Sequence, residues 1–368
     1  MASIDKLPNG KYRARWRTPD GASRCKHFDR RADARRHLAT VEHTKATGAY
    51  VDARAGRVTF RAYAEEWRAA QVHRPSTAAQ VEGNLRRHAY PALGDRPIAA
   101  IRPSHVQAWV RGLADTLAPA TVEVVYRYVA AIFRAAVADR VVATSPAARV
   151  TLPRAERATV EPLAVEAVEA IAAALPPRYR ALVALAAGTG LRQGEAFGLT
   201  VDRVDFLRRT VRVDRQLLLL PGGPPTLAPP KTEASRRTVP LPSVVVDALA
   251  AHLAAYPAGP DGHVFTDEAG RPIRRNRFGE VWRAAVRAVG VPVGADFHAL
   301  RHFYASLLIR HGESVKVVQD RLGHASAAET LDTYSHLWPD AEDRTRAAVD
   351  AVLGVGVMVT GTEGRARR

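Results

Sequence analysis

Six side chains in the second half of this sequence have the types that an attack on a phosphodiester requires. They are Arg192, Lys231, His298, Arg301, His324 and Tyr334. An incoming oxygen adds charge to the non-bridging phosphate oxygens, so a catalyst without a metal needs planar, permanently charged donors such as Arg192 and Arg301. His298 and Arg301 are three residues apart in a helical stretch and therefore project from one face. The pattern predicts phosphodiester chemistry.

Proton transfer is the second requirement of such a reaction. Of the four residues in the C-terminal stretch, His298, Arg301, His324 and Tyr334, only Tyr334 could serve as the covalent nucleophile. A phenol has an unperturbed pKa of about 10, so it must lose its proton in a strongly positive pocket or to a neighbouring base. His298 and His324 are the candidate bases. The departing sugar oxygen needs a proton, which Lys231 can deliver if surrounding cations lower its pKa.

Each of these residues also has an ordinary structural interpretation. Tyr334 could be a half-buried packing residue of an amphipathic helix. His324, which follows Leu-Gly, could cap the turn between two helices. Arg192 could be a surface arginine that pairs with Glu195 three positions on. The joint pattern favours one shared site over separate structural roles for all of them.

The motifs around these residues resemble those of the tyrosine recombinases of the phage integrase family. The first catalytic box is matched by GTGLRQGEAFGL, which contains Arg192 and, as the acidic residue that steadies it, Glu195. The β-hairpin that carries the family's lysine is matched by PPKTEASRRTVPL, which contains Lys231. The other matches, in the HALR, LGH and TLDTYSH segments, are His298, Arg301, His324 and Tyr334.

The resemblance implies a DNA strand transfer that needs no metal and no nucleotide cofactor. Tyr334 would attack the scissile phosphate, form a 3′-phosphotyrosyl link and release a 5′-hydroxyl, and a hydroxyl from a partner duplex would reverse the step. The implied roles are phosphate binding for Arg192, Arg301 and His324, proton movement at the tyrosine for His298, and protonation of the leaving oxygen for Lys231.

The elements around these motifs predict a multidomain α+β protein. A small three-stranded sheet plus a helix is expected first, then a four-helix (SAM-like) core-binding domain, then a mainly α catalytic domain with a small antiparallel sheet. The predicted parts are an arm-type DNA-binding domain (1–57), a core-binding helical domain (58–152), a catalytic domain (153–345) and a C-terminal tail (346–368). A proline- and charge-rich linker is expected at 150–163. In the catalytic domain, strands near 210–219 and 236–241 are joined by a long loop that suits a mobile lysine.

The first part has two short alternating runs around a Pro-Asp-Gly turn, followed by a helix near 31–47. This arrangement resembles the arm-type DNA-binding domain of integrases. The candidate DNA contacts on its strands are Arg13, Arg15, Arg17 and Arg24. A solvated basic face without specific contacts is the alternative. The helical block could likewise be a bundle that binds protein.

Composition agrees with a nucleic-acid partner. The formal net charge is +17 and the pI is near 10.6, which favours binding to a polyanion. No apolar run reaches membrane-spanning length, and the N-terminus lacks the hydrophobic segment of a signal peptide. The single cysteine, Cys25, cannot form an internal disulfide, and no His/Cys cluster has zinc-ligand spacing. A cytoplasmic, nucleoid-associated protein without a metal site is expected.

The sequence therefore predicts a site-specific recombinase that integrates or excises a phage or another mobile element. Its expected partners are double-stranded DNA attachment sites, three further copies of itself in a homotetramer on DNA, and DNA-bending or excision accessory proteins. The alternative is a DNA-binding regulator or excision accessory protein that keeps the fold without strand transfer. The segment from Ser314 to Tyr334 also resembles a helix-turn-helix, which would favour a regulator.

Overall fold

The N-terminal residues form a three-stranded antiparallel sheet with one helix packed on it. The computed structural model describes residues 2–52, 54–154, 159–291, 294–338 and 342–353. The sheet has the order β1 (Ser3–Lys6), β2 (Tyr12–Arg17), β3 (Ser23–Phe28), and α1 (Arg31–Ala46) follows it. Alternation along β2 places Ala14 and Trp16 toward the helix, where Ala34 and Leu38 of α1 complete a small core.

The candidate DNA-contacting arginines divide between the two faces of this sheet. Arg13, Arg15 and Arg17 share the face of β2 that points away from α1. Arg13 and Arg15 both pair with Asp5, at 3.3 and 2.6 Å, whereas Arg17 is exposed. Arg24 lies on the other face and binds Asp52 through Nε at 2.9 Å. The role of these arginines in DNA binding stays a prediction.

A helical block follows the sheet. Its helices are α2 (Phe60–Ala70), α3 (Pro75–Asn84), α4 (Pro103–Ala114) and α5 (Pro119–Ala138). Three of them begin at a proline. The N–H at the first helical position has no partner within the helix, so its absence in proline costs nothing there, and the φ of proline already suits a helix. The chain continues from α3 as a π-helical segment, Leu85–Gly94, with Pro91 inside it. No sequence pattern had indicated this segment.

The remaining helices belong to a second unit, which begins after residue 157, where the chain divides. They are α6 (Val165–Ala174), α7 (Pro177–Thr189), α8 (Gln193–Phe197), α9 (Ser243–Ala255), α10 (Arg275–Val289), α11 (Ala299–Arg310), α12 (Val315–Leu322), α13 (Ala327–Tyr334) and α14 (Glu342–Leu353). One apolar core joins α6 to α11 with the strands of this unit. A smaller cluster joins α11 to α12 and α13 and includes Tyr334.

The strands of the second unit form two small antiparallel sheets. Their bounds are β4 (Val204–Asp205), β5 (Thr210–Val213), β6 (Gln216–Leu219), β7 (Pro225–Ala228) and β8 (Arg237–Pro240). The sheet order is β4-β5-β8, and β6 pairs with β7 alone. The single strand predicted at 210–219 is therefore divided in two. Asp214 lies at the break, where its carboxylate binds Arg203 and Arg215 on either side.

Helices with small antiparallel sheets confirm the predicted α+β class. The four-part division at residues 57, 152 and 345 stays a prediction. Residues 155–158 of the predicted linker and residues 354–368 of the predicted tail lie outside the described part of the chain. Within that part, no helix has both the length and the apolar character that crossing a membrane requires.

Candidate active site

Arg192 is the N-cap residue of α8, and its side chain is held by three different elements. Its Nη1 donates to Glu195 Oε1 at 3.2 Å and to Ser235 Oγ at 3.3 Å, and its Nη2 donates to the Gly323 carbonyl at 3.1 Å. The other Glu195 oxygen, Oε2, accepts from the backbone N–H of Arg192 at 2.9 Å. Glu195 therefore fixes both the start of α8 and the direction of the arginine side chain.

Glu195 is almost fully buried and binds a second arginine, Arg237, from β8. Arg237 Nη1 and Nη2 donate to the two carboxylate oxygens at 3.2 and 2.9 Å, and its Nε donates to the Arg321 carbonyl at 2.7 Å. Burial alone would raise the pKa of the Glu195 carboxyl, but Arg237 and Arg192 together hold it below its usual range. The buried carboxylate is thus charged and shared between two guanidinium groups.

Two glycines in left-handed conformation let backbone carbonyls reach the arginines. Gly190 ends α7 with φ +66°, and its carbonyl accepts from Arg301. Gly323 ends α12 with φ +67°, and its carbonyl accepts from Arg192. A Cβ on Gly190 would lie 2.5 Å from the Tyr304 ring, so a side chain there is excluded by packing as well as by backbone strain.

Arg301 is the largest fully buried side chain in the described part of the chain. Its Nη1 donates to the Gly190 carbonyl at 2.8 Å, whereas Nη2 is buried and meets no acceptor among the described residues. Burial lowers the pKa of Arg301 to about 9, and repulsion from Arg192 and Arg237 adds to this effect. A buried guanidinium with a free donor and two cationic neighbours is a site that an anion would stabilise.

Tyr334 ends α13 with its ring buried and its hydroxyl beside a histidine from α11. Its Oη lies 2.8 Å from Nδ1 of His302, and 1% of the residue is exposed. Burial raises the pKa of Tyr334 to about 12, against the opposing effect of Arg301 and Arg192. Burial, His298 and Arg301 lower the pKa of His302 to about 4. The free protein therefore holds a neutral phenol next to a neutral imidazole.

His324 lies in the turn between α12 and α13. Ser314 caps the start of α12, Gly323 ends it, and Ser326 caps the start of α13, so the sequence dictates this turn. The His324 ring is stacked on Tyr334 with 6.4 Å between centroids, and its Nδ1 lies 2.8 Å from the Thr330 hydroxyl. Burial and the charge of Arg301 lower its pKa to about 4.

Lys231 and His298 line two different cavities. Lys231 follows β7 in the loop to β8 and lines a cavity of about 270 Å³ together with Arg192, Ser235 and Gly323. His298 caps α11 and lines a cavity of about 770 Å³. The ring of His298 lies 4.8 Å from that of His302, and His302 in turn contacts the Tyr334 hydroxyl. Lys231 thus lines the same cavity as Arg192, and His298 contacts the histidine that binds the tyrosine.

His302 and Arg237 were not among the site residues predicted from the sequence. His302 is four residues after His298, a spacing that places both on one helical face, and this signal was available beside Arg301. Arg237 stands next to Arg236 in a short strand. Nothing in that sequence distinguishes the arginine that binds Glu195 from the more exposed one.

The buried histidines make the stability of the second unit sensitive to acid. His324 binds fewer protons folded than unfolded, because its pKa falls from 6.5 to about 4, so stability is lost as the pH falls through this interval. We expect the free energy of unfolding to fall between pH 7 and pH 5, with roughly 2 kcal/mol from His324. Denaturant titrations at the two pH values should show a smaller difference for His324→Gln. The same change at exposed His311 serves as control, and an equal effect there would contradict the assignment.

Two protein-family models match this chain. The model described as "Phage integrase family" matches residues 161–340, and the model described as "Phage integrase central domain" matches residues 60–152. The tyrosine recombinase XerC-like protein of Caldanaerobacter subterraneus subsp. tengcongensis is 29% identical over 72% of this chain and 75% of its own length. The integrase of Mycobacterium phage D29 is 27% identical over 88% of this chain and 90% of its own length.

The fold is similar to that of a solved integrase. The Tn1549 transposon integrase, in complex with a circular intermediate DNA, superposes with a TM-score of 0.69 at 23% identity, over 80% of this chain and 99% of that one. This likeness concerns the fold, and the family models cover both the helical block and the unit with the candidate site. The chain therefore belongs to the phage integrase family of tyrosine recombinases.

Proposed function

We propose that this protein is a site-specific recombinase that cuts and rejoins DNA through a 3′-phosphotyrosyl link on Tyr334. The observation that carries the proposal is the buried Nη2 of Arg301, which meets no acceptor among the described residues, in a site where Arg192 and Arg237 share the buried carboxylate of Glu195. Such a surplus of fixed positive charge has no structural benefit in the free protein. It suits a phosphodiester whose charge grows during the reaction.

The proposed roles follow from the position of each side chain. Arg192 and Arg301 bind the non-bridging oxygens, because both present guanidinium N–H donors that are permanently charged and act without a metal. His324 adds a neutral ring nitrogen to this set. Tyr334 is the nucleophile, and Lys231, on the loop that lines the cavity beside Arg192, gives a proton to the departing 5′-oxygen.

We propose DNA attachment sites as the substrate and a phage or mobile element as the source of one of them. The phage D29 relative is named an integrase and aligns over most of this chain, and the Tn1549 protein was solved with DNA. The net charge of +17 agrees with a DNA partner. A homotetramer on DNA and accessory proteins stay predictions from the family resemblance, as does a nucleoid location.

A nicked suicide substrate tests the proposal. The duplex carries the attachment site read from repeated ends in the DNA that flanks the gene, with a nick that lets the 5′-hydroxyl fragment diffuse away. We expect a covalent adduct that survives detergent, and proteolysis with mass spectrometry should place the nucleotide on the peptide that contains Tyr334. Binding without an adduct, or an adduct on another tyrosine, would contradict the proposal, and the first of these results would support a regulator.

The N-terminal arginines should differ in their effect on DNA binding. Arg17 is exposed, whereas Arg24 is engaged by Asp52 on the opposite face. We expect Arg17→Ala to weaken binding to arm-site DNA and to reduce the slope of log affinity against log salt by about 1. Arg24→Ala should leave that slope unchanged. Fluorescence anisotropy at several salt concentrations measures both, and equal slopes for the two variants would contradict the assignment.

A further inference from the structure

One histidine contacts the hydroxyl of Tyr334, and it is not one that the motifs singled out. His302 Nδ1 lies 2.8 Å from Tyr334 Oη. His324 stacks on the ring with only 9° between the planes, and its own Nδ1 is engaged by Thr330. His298 meets the edge of the His302 ring at 4.8 Å. Among the described residues, His302 therefore has the most direct access to the phenolic proton.

The hydrogen bond between these two groups joins two neutral partners. The lowered pKa of His302 means that its imidazole is neutral near pH 7, and the raised pKa of Tyr334 means that the phenol keeps its proton. In the Nε2–H tautomer of His302, which the role of a base requires, the Tyr334 O–H donates and the His302 Nδ1 accepts. Nδ1 is then the unprotonated nitrogen, and the ring proton is on Nε2. The phenol is already oriented toward a basic lone pair.

We propose that His302 is the general base that takes the proton of Tyr334 when its hydroxyl attacks the scissile phosphate. This inference rests on the proposed recombinase function and deepens it. In the forward step the Oη–P bond forms, the bond from phosphorus to the 5′-oxygen breaks, the phenolic proton moves to His302 Nδ1, and Lys231 supplies a proton to the departing oxygen. In the reverse step, a 5′-hydroxyl gives its proton to Lys231 and bonds to phosphorus, the P–Oη bond breaks, and the His302 imidazolium returns its proton to the phenolate.

The electrostatic surroundings favour this transfer when DNA is bound. The groups around the pair are His298, Arg301 and Asp296 on the side of His302, and Arg192 and Glu329 on the side of Tyr334. In the free protein, Arg301 opposes a second positive charge on His302. A phosphodiester bound to Arg301 brings negative charge to the same place and offsets that repulsion. The base thus gains strength when the substrate is present.

This assignment gives His298 a supporting role. The His298 and His302 rings meet edge to face at 4.8 Å, and His298 is more exposed than His302. Through this contact His298 restricts the orientation of the His302 ring, which itself contacts the reacting oxygen. The family resemblance assigns proton movement to His298. The two assignments of the base, to His298 or to His302, therefore predict different results for the same measurement.

The variant that separates the two is His302→Asn, with His298→Asn as the matched control. An asparagine oxygen can take the place of Nδ1 and accept the phenolic hydrogen bond, but it cannot hold the proton. We expect His302→Asn to slow single-turnover adduct formation on the suicide substrate by about 10²- to 10⁴-fold at pH 7. Its rate should then rise about tenfold for each pH unit, since hydroxide must remove the proton in place of the base. His298→Asn should lose less and keep the pH profile of the wild type.

Several outcomes would overturn the inference. A His302→Asn rate within threefold of wild type, or an unchanged pH profile, would show that His302 only orients the ring. A steep pH dependence of the adduct-formation rate in His298→Asn alone would identify His298 as the base. Where His302→Asn lowers the melting temperature strongly, His302→Gly with added imidazole replaces it, and failure of imidazole to accelerate the reaction counts against the base. If the wild-type protein forms no adduct, the recombinase proposal itself fails.

Discussion

Tyr334→Phe is expected to abolish the covalent DNA adduct and to leave DNA affinity within about twofold of wild type. The substitution removes the attacking oxygen and keeps the ring, which packs between His324 and the small apolar cluster of α11 to α13. The cost to stability should be modest, about 1–2 kcal/mol, because one hydrogen bond is lost and His302 Nδ1 is left without its donor. Adduct formation on the suicide substrate and gel-shift titration measure the two properties.

The same substitution at Tyr304 is the matched control. Tyr304 belongs to the same apolar cluster, is also buried, and has its ring against Gly190. We expect Tyr304→Phe to form adduct at the wild-type rate. Residual adduct in Tyr334→Phe would mean that another residue is the nucleophile. Equal losses of adduct in the two variants would mean that both substitutions act only by destabilising the cluster.

The motifs located most of the site because they encode local geometry. The Leu-Gly-His turn follows from a serine cap and a left-handed glycine, and the placement of Arg192 follows from the reach-back contact of Glu195 at the start of α8. These contacts lie within a few residues of one another, so spacing is informative. The contact between Tyr334 and His302 joins residues 32 positions apart, and the sequence gives no direct indication of it.

The fold shows the same division between local and non-local features. Proline at the first helical position and apolar residues three and four apart predicted α5 within one residue at its end. The run at 210–219 looked like one strand because the break at Asp214 arises from ion pairs to arginines on both sides. β7 arises inside the predicted loop, which is rich in glycine and proline, and it pairs with β6, the second half of the predicted strand. Pairing between strands depends on register, which composition does not specify.

Arg237 and Arg301 should respond in opposite ways to the same substitution by methionine. Arg237 shares the buried Glu195 carboxylate with Arg192, and its side chain is 6% exposed. Removing it leaves a buried charge with one partner, so we expect Arg237→Met to lower the free energy of unfolding by about 3–5 kcal/mol. Arg301 has no carboxylate partner among the described residues, has one unsatisfied nitrogen and is repelled by its two cationic neighbours. Arg301→Met should therefore leave stability within about 1 kcal/mol of wild type or raise it.

Measurements of activity should separate the role of Arg301 in catalysis from its effect on stability. We expect Arg301→Met to slow adduct formation by at least about 10²-fold, because a preorganised donor to the phosphate is lost, although the protein is no less stable. Denaturant unfolding of the full chain, with hydrogen exchange to assign the transition to the second unit, compares the two variants. Similar losses of stability in both would mean that Arg301 is a structural residue. A gain in stability with a loss of catalysis would mean instead that charge repulsion at Arg301 destabilises the free protein and that the bound phosphate relieves this repulsion.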